Sequence, residues 1–111
     1  MSLNPRVLEI RVLNDALRQL GQGGMTVITQ GIACLSYDTQ EKIHAAVRTF
    51  DEFTPHNDPH GEHDLGILHV SGERVIFKID YYDHTLCRGS EDPANPDMTT
   101  RVITIMLAEE Y

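Results

Sequence analysis

From Arg74 to Tyr82 the chain alternates, with Val75, Phe77, Ile79 and Tyr81 on one parity and Arg74, Lys78, Asp80 and Tyr82 on the other. Successive strand side chains point to opposite sides, so this is a strand with one apolar face, and such a face has to be covered by a second layer. A strand also needs a neighbour. Gly66-Ile67-Leu68-His69-Val70 supplies one across a turn at Ser71-Gly72-Glu73, which predicts a hairpin. With 111 residues the chain has room for one domain, residues 1–111, built around a single two-layer core.

The covering layer has to come from upstream. Asn4 suits an N-cap and Pro5 the first helical position, so a helix starts there. Val7, Ile10, Leu13, Leu17 and Leu20 line one face, Arg6, Arg11, Asp15 and Arg18 fall mostly on others, and Gly21 stops the helix. A second helix opens at Asp38 with Glu41 in a capping-box-like pattern. It carries Ile43, Ala46, Val47, Phe50 and Phe53 in one stripe and ends by Pro55.

Between the helices, Met25 to Gln30 reads as a strand, bent or bulged at Gly31 before Ile32-Ala33-Cys34-Leu35. Residues 83–98, with Gly89, Pro93 and Pro96, read as a long loop, and Thr99 to Ala108, apolar on both faces, as a central strand. The expected fold is α+β in the order α-β-α-β-β-β: an antiparallel sheet of about four strands with two helices packed on one face.

Composition removes several function classes. No apolar run approaches the ~20 residues that span a bilayer. The start, Met1-Ser2-Leu3-Asn4-Pro5-Arg6, lacks a signal-peptide pattern, which predicts a cytoplasmic protein with Cys34 and Cys87 as thiols. A formal charge of −8, with nine scattered basic residues, argues against direct nucleic-acid binding. The acidity suits a basic protein or a cation, and equally suits solubility.

Groups able to bind or titrate concentrate in Pro55-His56-Asn57-Asp58-Pro59-His60-Gly61-Glu62-His63-Asp64-Leu65-Gly66. His56, His60 and His63 have helical spacing, but Pro59 and Gly61 oppose a helix, so only a loop-built metal site is feasible. His63 with Asp58, Glu62 and Asp64, joined by Asp80 or Asp83, would suit Zn²⁺ or Mn²⁺. The competing reading is that these side chains tie down a long loop by bonding to its backbone. An EF-hand register is spoiled by Pro59 and His60, and His60-Gly61-Glu62-His63 is not a zinc-protease helix. Cys87, with His84 nearby, has no legible base, orienting group or oxyanion hole.

Several blocks resemble one family: Phe50-Asp51-Glu52-Phe53, then Asn57 to Asp64, then Lys78-Ile79-Asp80-Tyr81-Tyr82-Asp83, then Thr99-Thr100-Arg101-Val102 with the closing Ile105 to Tyr111. The family is the bacterial domain of unknown function numbered 3768, small single-domain proteins often carried on plasmids and other mobile regions. The resemblance implies membership and no activity. Asp58, Gly61 to Asp64 and Lys78 to Asp83 belong to its pattern, whereas His56, His69, His84, Cys34 and Cys87 do not.

The candidate functional surface is therefore Asp58, Glu62, His63, Asp64, Lys78, Asp80, Tyr82 and Asp83. The leading functional expectation is a non-enzymatic, cofactor-free interaction protein of mobile elements. It would bind a protein partner, with inhibition of a host defence nuclease among its possible roles. The alternative is a metal-dependent hydrolase built on the 58–64 loop.

Overall fold

The computed structural model describes residues 4–111. Helix α1, Pro5–Leu20, starts where the Asn4 side chain accepts the Arg6 N–H at 2.8 Å, and it ends at Gly21, left-handed at φ 70°. Strand β1, Gly24–Ile28, leads into a short helix α2, Gln30–Ala33, and then helix α3, Tyr37–Thr49. Strands β2, Leu65–Val70, and β3, Glu73–Tyr82, form the expected hairpin. Its two-residue turn, Ser71-Gly72, has both φ values positive (51° and 81°), the handedness that matches strand twist. Strand β4, Thr100–Leu107, closes the sheet between β1 and β3.

The sheet order is β1-β4-β3-β2. The α+β architecture and its element order agree with the sequence, and β4 is central as its apolar character on both faces requires. Its direction of pairing needs correction. β4 runs antiparallel to β3 but parallel to β1, so the sheet is mixed. The connection from β1 to β4 contains α2, α3 and the hairpin, a crossover long enough to return the chain in the same sense. Strand propensity carries no information on that sense.

Three local expectations also change. Ile32 and Ala33 lie in α2 rather than in an extended strand, and Gly31 at its start sits against the Glu110 carboxylate with no room for a side chain. That carboxylate accepts from Thr29 Oγ1 at 2.6 Å, Gly31 N at 3.1 Å and Leu107 N at 2.8 Å. Helix α3 is capped by Ser36, whose Oγ accepts the Thr39 N–H at 3.1 Å, while Asp38 pairs with Lys42 one turn on. The same helix stops at Thr49, so Phe50 and Phe53 reach the core from extended and loop backbone.

All three α-helices send apolar side chains into one cluster. Leu17, Ile32, Ile43, Val47 and Phe50 meet Leu68, Val75, Phe77, Ile79, Ile103 and Ile105 there. By strand alternation the opposite sheet face carries Ile67, Ile76, Lys78, Asp80, Tyr82, Val102, Thr104 and Met106, with Met25 and Val27 at its β1 end. No helix is long and apolar enough to cross a membrane among the described residues.

Candidate functional site

The buried side of α1 holds Ile10, Asn14, Leu17 and Arg18, so two polar residues share the helix's core-facing stripe. This corrects the placement of Arg18 on an outer face. Its guanidinium lies 5.2 Å from the Phe53 ring centroid and 5.8 Å from that of Phe77. It donates to the carbonyls of Val47 (3.2 Å) and Phe50 (2.8 Å) and pairs with Asp15 at 3.0 Å. Carbonyls at a helix C-terminus lack most of their intrahelical donors, and Arg18 satisfies those of Val47 and Arg48 at the end of α3, which stops well before Pro55.

Asp15 also holds His63. The His63 Nδ1–H donates to the Asp15 carboxylate at 2.9 Å, and the imidazole stacks on Phe53 with centroids 3.9 Å apart and planes 4° from parallel. His63 has a left-handed backbone at φ 58°, a conformation that costs a non-glycine residue and persists where surroundings fix it. Asp58 supplies part of that fixing, because its buried carboxylate accepts the His63 backbone N–H at 3.2 and 3.3 Å. Arg11 Nε donates to the Gly61 carbonyl at 2.7 Å. Asn57 closes the start of the loop by accepting from Thr54 N at 2.8 Å and donating to Glu52 O at 2.9 Å.

A second network adjoins it, built on Asn14 and Glu62, the residues just before Asp15 and His63. Tyr81 donates its hydroxyl hydrogen to Glu62 Oε1 at 2.6 Å and accepts from Asn14 Nδ2 at 2.8 Å. Asn14 also donates to the Glu62 carbonyl at 3.0 Å and accepts from Arg101 Nε at 2.8 Å. Arg101 donates onward to the Pro93 carbonyl and lies over the Tyr81 ring at 5.1 Å. Helix α1, β3, β4 and the 58–64 loop thus meet on one fully buried asparagine, and Arg101 carries the network on to the loop at Pro93.

Burial, and then the bond to Glu62, push the Tyr81 phenol far above its ordinary range, so it stays a donor at any physiological pH. Burial pulls the Arg101 guanidinium down from its ordinary value and lifts the Asp64 carboxyl above 3.8, with Glu62 and Asp58 adding to the latter.

The candidate residues therefore separate into two groups. Asp58, Glu62, His63 and Asp64 lie over the α1 side of the sheet. Lys78, Asp80 and Tyr82 lie on the opposite face, where Lys78 and Asp80 pair at 3.0 Å. Asp80 therefore does not join His63, contrary to the expectation of a shared ligand set. Asp83 bonds Thr85 N and Oγ1 in its own turn, and chiefly the Oγ1 bond holds its carboxyl below the ordinary value.

His63 Nε2 and Asp58 Oδ2 stand 3.9 Å apart. Glu62 is turned to Tyr81, and among the described residues no group of three or more His, Cys, Asp or Glu side chains is arranged to hold a metal. Cys34 and Cys87 are exposed free thiols. The sequence reading missed Asn14, Asp15, Arg18 and Arg101. A signal existed for Asn14, which follows Ile10 by four positions and precedes Leu17 by three and so sits within the apolar stripe.

Residues 28–110 match the profile of a family described as a protein of unknown function, DUF3768. The chain belongs to that family. The match begins at the last residue of β1 and includes α2, α3, the polar loop, the hairpin and β4, so the Asp58, His63, Glu62, Tyr81 and Arg101 contacts all have members inside the family region. Asn14, Asp15 and Arg18, their counterparts on α1, precede the matched segment. Comparison with curated proteins and with solved structures finds no match to this DUF3768 member.

Proposed function

We propose that this DUF3768 protein is a non-enzymatic binding module that seats a protein partner on the sheet face opposite the helices. The observation that carries the reading is the contrast between the two groups of candidate residues. The polar residues of the 58–64 loop spend their hydrogen bonds inside the protein, on Asp15, Asn14, Tyr81 and the loop backbone. The other face sets Lys78, Asp80 and Tyr82 beside the exposed Ile67, over a floor of buried Ile76, Val102 and Met106, which leaves polar and aromatic anchors around one exposed apolar side chain.

Charge favours a basic partner. Two of the nine Lys and Arg residues, Arg18 and Arg101, are buried, so they contribute little to neutralising the surface of a chain whose formal charge is −8. The mobile-element setting implied by the family resemblance fits an accessory protein of this kind, including one that blocks a host defence protein.

The test is photo-cross-linking in the native host from a probe amino acid at position 67, on the proposed face, against one at the exposed Glu41 on α3. A single adduct from position 67, weakened by Tyr82→Ala and by raised salt, is expected. Adducts only from position 41, or affinity indifferent to salt, would reject the reading.

A second reading rests on one observation. His63 and Asp58 both line an open groove of about 440 Å³ with Arg11, Phe53, Pro55 and Gly61, where a metal-dependent hydrolase would place its ion. Zn²⁺ or Mn²⁺ titration of the purified protein, with and without His63→Ala, decides for or against it.

A further inference from the structure

We infer that β1 is the seam of a symmetric homodimer, in which the strands of two copies pair antiparallel and join two four-stranded sheets into one. This goes beyond the partner reading above and uses the β1 edge of the sheet rather than the Lys78, Asp80 and Tyr82 cluster on β3.

The hydrogen-bond geometry of the edge comes first. Thr29 N donates to Ile105 O, which continues the parallel β1–β4 ladder, so by alternation Val27 and Met25 also turn their main-chain groups toward β4. Gly24, Thr26 and Ile28 turn theirs outward. A free edge is a template for another strand, and proteins that keep such an edge single guard it with Lys, Pro, a bulge or a covering element. β1 has none of the sequence guards. It reads Gly-Met-Thr-Val-Ile, and all five residues are exposed.

Side chains and charge select the occupant. Leu20, Met25, Val27 and Ile28, four of the exposed large hydrophobic residues, gather at this edge at 66, 43, 40 and 37 % exposure. Residues 19–37 contain no Asp, Glu, Lys, Arg or His, in a chain that is 23 % charged and carries a formal charge of −8. A basic partner would gain nothing from this stretch. Two copies of an acidic chain meet there with least repulsion. Glu110, which reaches this end of the strand, is engaged by Thr29 and Gly31.

The strand also complements itself. With Thr26 on the two-fold axis, Gly24 faces Ile28 of the other copy, and the outward main-chain groups of Gly24, Thr26 and Ile28 all find partners. The paired threonines can bond each other. Met25 and Val27 cross-pack on the face they share with Val102 and Thr104.

Sedimentation velocity across the micromolar range, with amide exchange read residue by residue, tests the seam. The expected result is a reversible dimer in which Gly24, Thr26 and Ile28 amides become protected as the concentration rises, while Met25 and Val27 are protected throughout. Thr26→Pro removes an outward N–H that β4 does not use, so it should give a monomer with an unfolding midpoint close to the parent's. Should that variant fail to fold, Val27→Lys places a charge at the same seam and should also give a monomer. A parent that stays monomeric at every concentration, a dimer that survives Val27→Lys, or protection that does not alternate along β1 would overturn the inference. Tyr82→Ala, which tests the partner face, is expected to remain dimeric, so the two readings fail separately.

Discussion

Asn14→Leu is the substitution that most directly probes how the polar loop is held. Leucine keeps the branched four-atom skeleton of asparagine with bulkier methyl groups, so no cavity forms and the loss is one of hydrogen bonds, with any overpacking adding to it. Asn14 is fully buried and is bonded to the Glu62 carbonyl, the Tyr81 hydroxyl and Arg101 Nε. Removing it leaves a charged donor and a carbonyl short of a partner, while Tyr81 keeps Glu62 and Arg101 keeps the Pro93 carbonyl. A bond to a charged group is worth roughly 1.5–3 kcal/mol and a neutral one about 1 kcal/mol, so the expected loss is roughly 3 kcal/mol. Against a total of ~5–15 kcal/mol for an ordinary domain, that is a large fraction. Urea unfolding followed by fluorescence and by far-UV circular dichroism measures it, with an unchanged slope showing that the unfolded state is the same. Tyr81→Phe, which spares the Arg101 bond but loses the bond to the Glu62 carboxylate, should lose roughly 1.5–3 kcal/mol. A loss below about 1 kcal/mol for Asn14→Leu would refute the view that this residue joins the sheet, the helix and the loop.

Further expectations are narrower. His63→Ala should cost roughly 1–3 kcal/mol through the lost Asp15 bond and Phe53 stack. A chelator should leave the unmutated protein unchanged in melting temperature; a stoichiometric metal that vanishes in the variant would instead favour the hydrolase. Asp64 has its folded value raised above 3.8, so the stability that its neutral form contributes is complete below that pH and is lost as pH rises through the folded value. Asp64→Asn should therefore flatten that fall in a pH series of unfolding midpoints, and an unaltered series would show that the burial is not felt. Cys34 and Cys87 should both react with a thiol reagent in unfolded, non-reduced protein, and finding no reactive thiol would indicate a disulfide.

Local pattern was a good guide wherever a residue's neighbours in sequence decide its structure. The alternation from Arg74 to Tyr82 and the Ser71-Gly72 turn are of this kind, as is the Asn4-Pro5 helix start. The reading went astray where a distant group decides. Arg18, twenty-nine positions before Val47, satisfies the carbonyls at the end of α3. Glu110 shapes the chain at Gly31, and the sense of β1 depends on a crossover that no single segment encodes. The polar loop shows the same division. Its wealth of His, Asp and Glu was visible at once, but the facing groups Asn14, Asp15 and Arg101 sit far off in sequence, two of them inside a helix that otherwise reads as amphipathic.

The position of β4 has a consequence for how the chain is made. It is the last of the described strands in sequence, yet it lies second in the sheet and, among the described residues, is the one strand partner of β1 and one of the two partners of β3. Until residues 100–107 leave the ribosome, β1 has no ladder and the hairpin of β2 and β3 stands as an isolated pair, which is marginal in water. Helices α1 and α3 wait for the same event, because Ile103 and Ile105 complete the cluster they cover. Folding thus needs a closure across most of the described residues, of the kind that proceeds slowly, and apolar strands stay uncovered until residues 100–107 are made.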